Sequence, residues 1–166
     1  MRNLLLSIVA MLSLVISTAC GQSNKSKLTA EILHNATSIQ YYTSNGTVAP
    51  DYHYGVTIVV SKDSVCLTVT KGYQNKIVYQ QTAPLTSDQY QQFIQQLAAH
   101  SIRNTKPDAS PSSGGPVESI EVTDNSDVLF QGSTGAALTF EGDLGMTFHD
   151  LLPNEMAQVF RHPYDL

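Results

Sequence analysis

Hydrophobic and polar positions alternate with a period of two over most of the chain's middle, and that pattern predicts strands. Residues 38–43 read as a first strand, followed by the turn residues Ser44, Asn45 and Gly46. Residues 52–61 are rich in β-branched and aromatic types, Lys62 and Asp63 supply a turn, and 64–71 return as the second arm of a hairpin. Residues 76–81 extend the series. At Thr86 the period changes. Thr86 and Gln89 have capping-box spacing, which satisfies two backbone donors at a helix start. Tyr90, Phe93, Ile94, Leu97 and Ala98 then fall on one stripe, with Gln91, Gln92, Gln95 and Gln96 opposite. This spacing predicts an amphipathic helix of about three turns.

Residues 104–116 have loop composition. Strands are expected at 117–123, 127–131 and 137–140, and a last helix carries Phe148, Leu151, Leu152, Met156, Val159 and Phe160. Pro153 should kink or restart that helix, because proline fits only a first turn. Residues 28–35 form a short helix or an irregular entry. The order ββββ-α-βββ-α implies an α+β fold, an antiparallel sheet of about six or seven strands with two helices packed on one face. Residues 58–67 and 120–129 resemble each other, either through duplication or as two hairpins with polar turns.

Ahead of this region lies an apolar run over residues 4–16, preceded by Arg2 and followed by Ser17, Thr18, Ala19 and Cys20. The run is shorter than the roughly 20 residues a membrane span needs and has the layout of an export signal. Ser-Thr-Ala-Cys resembles the cleavage site of bacterial lipoprotein signals, although Ser17 stands where that family prefers leucine. The resemblance implies a signal peptide at 1–19, lipidation of Cys20 and a flexible tether at 20–27, with a single globular α+β domain at 28–166. It also implies anchoring by acyl chains, each buried methylene contributing about 0.8 kcal/mol. With Gly21 after the cysteine, the outer membrane facing the periplasm is the expected location. Gly114 to Val122, with Gly142-Asp143-Leu144, Phe148 and Leu151-Leu152-Pro153, is similar to small envelope lipoproteins of Bacteroidetes that carry no assigned activity.

Loss of the leader would leave 8 basic and 14 acidic residues, net −6. That balance disfavours nucleic acid, which requires a basic face. An acylated Cys20 would leave Cys66 as the one free thiol, and its place in an alternating strand predicts a buried small hydrophobe.

No catalytic constellation stands out. Ser113 and Ser133 lack a nucleophile elbow, and the glycines at 132, 135, 142 and 145 lack the frame of a phosphate loop. Asp51 with His53, His149 with Asp150, and His162 with Asp165 have no metal-site spacing. His149 is expected near a helix start and His162 near a helix end. Glu118, Glu121 and Asp143 would need to converge in space for paired-carboxylate chemistry. No cofactor is implied. Asp63-Ser64-Val65 resembles a short Bacteroidetes O-glycosylation pattern, making Ser64 a candidate modified site.

The remaining signal is tyrosine. Tyr41, Tyr52, Tyr54 and Tyr79 fall in the first β region, and on a sheet face away from the helices they would suit a protein or glycan partner. The expected function is a non-enzymatic binding module of the envelope, membrane-bound through its lipid. An inhibitor-like module using the 104–116 loop and a hydrolase with a metal or carboxylate site are the alternatives.

Overall fold

The computed structural model describes residues 26–105 and 116–166. The leader, Cys20, most of the tether and most of the 104–116 segment lie outside the described residues. Thr29 caps α1 (Ala30–Asn35), accepting a hydrogen bond from the Ile32 amide, so the 28–35 entry is a helix. The strands β1 (Ser38–Ser44), β2 (Tyr54–Val60), β3 (Ser64–Lys71) and β4 (Lys76–Pro84) lead into α2 (Ser87–Ala99). There follow β5 (Arg103–Asn104), β6 (Val117–Asp124), β7 (Asp127–Ser133), β8 (Leu138–Thr139), α3 (Leu144–His149) and α4 (Asn154–Arg161). One-turn 3-10 helices occupy Pro50–Tyr52 and Pro163–Asp165.

The fold is α+β. Six strands form one antiparallel sheet in the order β4-β3-β2-β1-β6-β7, and β5 pairs with β8 in a separate ladder. β1, first in sequence, therefore lies in the middle. Its inward residues Ile39 and Tyr41 stand opposite Val60 and Ile58 on one side and Val122 and Ile120 on the other. All six are buried in the core. At the alternate positions Gln40, Tyr42, Thr57, Thr68 and Glu121 face the other way and are partly or fully exposed. Cys66 belongs to this outward set, opposite Val59, and is half-buried. The expected buried thiol thus sits on the open face, because its strand parity is that of Thr68 and not of Leu67.

The helices cover the inward face. The Tyr41 ring stacks on Phe148 of α3 at 4.8 Å, and Phe93 of α2 meets Phe148 edge-on at 5.1 Å. This aromatic chain ties the central strand to two helices. α2 begins with the full capping box: the Thr86 hydroxyl accepts from the Gln89 amide, and the Gln89 side chain accepts from the Thr86 amide. Pro153 restarts the last helix, standing at the N-cap of α4 after α3 has ended.

Three features depart from the sequence pattern. β4 runs past residue 81 to Pro84, which an edge strand tolerates because one side of its ladder is open. β5 lies at the head of the segment read as loop, since its two residues pair with β8, distant in sequence. The two similar hairpins also diverge in register. Val65 and Leu67 follow the first turn inward, whereas a shift at Val122/Thr123 brings Phe130, not Leu129, opposite Val122.

Candidate functional site

At one end of the sheet the inward positions change from aliphatic to polar. On β1 the series runs Ile39, Tyr41, Thr43, and on β6 it runs Val122, Ile120, Glu118, with Thr43 opposite Glu118. Side chains of this kind do not complete an apolar core, and the sheet opens there into a cleft of about 450 Å³. The start of α3 supplies one wall with Asp143, Gly145 and Met146. The chain's end supplies another with Phe160, Arg161, Pro163 and Tyr164, and Tyr54 and Val56 line it from β2.

Tyr41 and Glu118 form the floor. The Tyr41 hydroxyl donates a 2.6 Å hydrogen bond to Glu118 Oε1. Burial, and then the Glu118 carboxylate, push the phenol's ionisation far above its ordinary value of 10.0, with Asp143 adding to the rise. The hydroxyl therefore keeps its proton and stands as a donor to Glu118. Gly145 lets α3 approach this pair: a Cβ there would lie 3.0 Å from the Tyr41 hydroxyl and 3.4 Å from Asp143 Oδ1. Asp143 caps α3 through a 3.0 Å bond from the Met146 amide.

Two local devices hold the walls. His100, at the end of α2, bonds the Glu141 carbonyl through Nδ1, and its Nε2 lies 2.6 Å from the Thr147 hydroxyl. α2 thereby fixes the approach to α3. Asn45 closes the β1–β2 connection, donating to the Tyr52 carbonyl at 2.6 Å and accepting from the Tyr54 amide at 3.0 Å.

Among the described residues the one ion pair within 4.0 Å joins His149 to Asp150 at 3.0 Å. Glu118, Asp143 and Arg161 thus line one cleft without ion-pairing partners among those residues. Arg161 is exposed at the rim.

The four tyrosines singled out in the sequence do not share one surface. Tyr41 and Tyr54 are buried on the helix-bearing side and line the cleft. Tyr79 lies on β4 on that same side, opposite Val69, and bonds Gln81. Burial and the nearby Glu155 raise its ionisation. Tyr52 is 71% exposed on the first 3-10 turn. The tyrosine on the open face is Tyr42, whose ring leaves 3.0 Å to a Cβ built on Gly55.

Of the three acids considered, Glu118 and Asp143 meet in the cleft, while Glu121 lies on the opposite face. Ser64 opens β3 half-buried, its hydroxyl 2.8 Å from that of Ser61. The Ser133 hydroxyl accepts from the Gly135 amide in a turn, and Ser113 lies outside the described residues. His53 packs against Tyr73 at 4.4 Å. His149 closes α3 instead of opening a helix, because the helix breaks before Pro153, and it packs against Phe160. His162 follows α4, 3.4 Å from the Tyr164 hydroxyl. No group of three or more His, Cys, Asp or Glu side chains among the described residues is arranged to hold a metal ion. No described helix is long and apolar enough to cross a membrane.

The residues that sequence reasoning missed are Gly145, Met146, Phe160, Arg161 and Tyr164. Gly145 had a local signal, a glycine directly inside a capped helix, which marks close approach of another group. The others are ordinary amphipathic-helix and chain-end residues. The chain matches no protein-family model and no curated protein.

Proposed function

We propose that this protein is an envelope lipoprotein acting as a binding module, held to the membrane by acyl chains on Cys20 and presenting its cleft to a ligand or partner. The leader and the polar tether support the anchor, and the outer membrane facing the periplasm is the proposed location. One observation carries the binding reading: the Tyr41–Glu118 pair, rigidly hydrogen-bonded, floors an open cleft with aromatic and aliphatic walls. Apolar walls with a few fixed polar groups are the usual make-up of a ligand site.

Two experiments test this. Palmitate labelling should mark the wild-type chain and not Cys20→Ala; equal labelling overturns the anchor. A cross-linked pull-down from native envelopes should recover a stoichiometric partner that Phe160→Ala or Met146→Arg loses. Recovery unchanged by both variants removes the cleft from the function.

A further inference from the structure

We propose that the cleft takes a protonated amine carried on an apolar stem, an inference that rests on the cleft being the binding site. Glu118 spends Oε1 on the Tyr41 hydroxyl, and Asp143 spends Oδ1 on the Met146 amide. Their second carboxylate oxygens have no hydrogen-bond partner among the described residues. An ionised carboxylate only accepts, so a ligand reaching this floor must donate. Tyr41 cannot satisfy both acids, because its single proton is already given and burial keeps it there.

Glu118 selects among donors. Of the charged groups that line the cleft, Asp143 and Arg161 are both exposed, where water screens them, and Glu118 is the one withdrawn from solvent. Glu118 is half-buried and has no cation within ion-pairing distance among the described residues. A cationic donor gains more there than a neutral hydroxyl, because charge-assisted hydrogen bonds are the stronger kind. Above the floor, Val56, Met146, Phe160 and Pro163 are apolar and suit a methylene chain. Lys71 Nζ already lies 5.3 Å from the Tyr54 ring centroid, so the ligand's ammonium belongs at Glu118 and its stem along the apolar wall.

The test is a titration of the full Cys20→Ala chain with three probes sharing one stem: hexylammonium, hexan-1-ol and hexanoate. Calorimetry reads affinity, and the Gly145 amide resonance reports on cleft occupancy. Hexylammonium should bind about tenfold tighter than hexanol, with the difference shrinking as salt rises. Glu118→Gln keeps an acceptor for Tyr41, and Asp143→Asn keeps the helix cap. Each should weaken hexylammonium severalfold and leave hexanol unchanged. A lysine residue blocked at both ends, titrated alongside, separates a peptide side chain from a free amine, and tight binding of either carries the inference. Equal affinity for amine and alcohol overturns the cation preference while leaving the cleft a site. Tighter binding of hexanoate overturns it in favour of anion capture by Arg161. No response at Gly145 to any probe overturns the inference and the cleft reading together.

Discussion

The Tyr41 hydroxyl and the Glu118 carboxylate, 77 residues apart in sequence, meet at 2.6 Å on neighbouring strands. The pair joins the packed core to the open cleft. One face of the Tyr41 ring stacks on Phe148, and its hydroxyl ends where the aliphatic inward series of β1 and β6 stops. The same residue therefore stabilises the fold with its ring and shapes the site with its oxygen.

Those two roles separate by substitution. Tyr41→Phe keeps the stack on Phe148 and removes only the donor. Glu118 borders the cleft and regains water, so the cost should be about 1–2 kcal/mol. Tyr41→Ala also empties a buried aromatic site and should cost about 3–5 kcal/mol. Denaturant unfolding at neutral pH reads both. A Phe variant as unstable as the Ala variant would show that the hydroxyl, not the ring, carries Tyr41's contribution.

Alkaline titration gives a second check. Of the eight tyrosines, Tyr41, Tyr79 and Tyr90 have ionisation raised chiefly by burial, with Glu118 adding to it at Tyr41 and Glu155 at Tyr79. A raised folded value favours the protonated form in the native state. Its stabilising effect is complete below the unfolded value of 10.0 and is lost as pH rises through the folded one. Tyrosinate absorbance should thus show a late-titrating set, and Tyr41 should ionise only as the protein unfolds. In Glu118→Gln, Tyr41 should ionise at lower pH. Ionisation of Tyr41 in the still-folded protein would contradict its burial.

Much of the fold was legible because its determinants are local. The Thr86–Gln89 box and the stripe from Tyr90 to Leu97 contain their own start signal and period, and Pro153 restarts its helix for a backbone reason. Strand parity was legible as well. Tyr41 lies two residues from Ile39, and Tyr54 two from Val56, so both tyrosines share the inward set. Placing them on the open face passed over that parity. The cleft was not legible. Glu118 and Asp143 come together because β1 is inserted between β2 and β6 and because α3 packs on Tyr41, and no window of sequence encodes that order. β5 was invisible for the same reason, since a two-residue strand exists only through its distant partner.

Gly132 tests how the small β5–β8 ladder packs on the main sheet. It faces inward opposite Ile120, and a Cβ there would run into Leu138 Cδ1 at 2.6 Å and into the Asn104 side chain. Leu138 is buried, and Asn104 is held by a 2.7 Å bond to the Gln131 carbonyl. Neither moves without loss. Gly132→Ala should cost about 1–3 kcal/mol, the usual range for overpacking. In a double-mutant cycle with Asn104→Ala, part of that cost should be recovered, since the two sites touch. Strict additivity would mean that the clash is relieved elsewhere.

The β2–β3 turn makes the opposite pH prediction. The Ser61 hydroxyl donates to Asp63 Oδ1 at 2.8 Å and lies 2.8 Å from the Ser64 hydroxyl. Hydrogen bonds from Ser61 and then Ser64 hold the Asp63 carboxyl below its ordinary value of 3.8. A depressed folded value contributes stability above the unfolded value, and that contribution is lost as pH falls through the folded one. The hairpin should therefore loosen on acidification below 3.8, seen as line broadening of the Ser61 and Ser64 amides alongside the Asp63 carboxyl titration. Ser64→Ala should move that titration back toward the ordinary value, and a glycan on the Ser64 oxygen should do the same by removing its proton. An Asp63 titration indifferent to Ser64 would leave Ser61 as the sole donor.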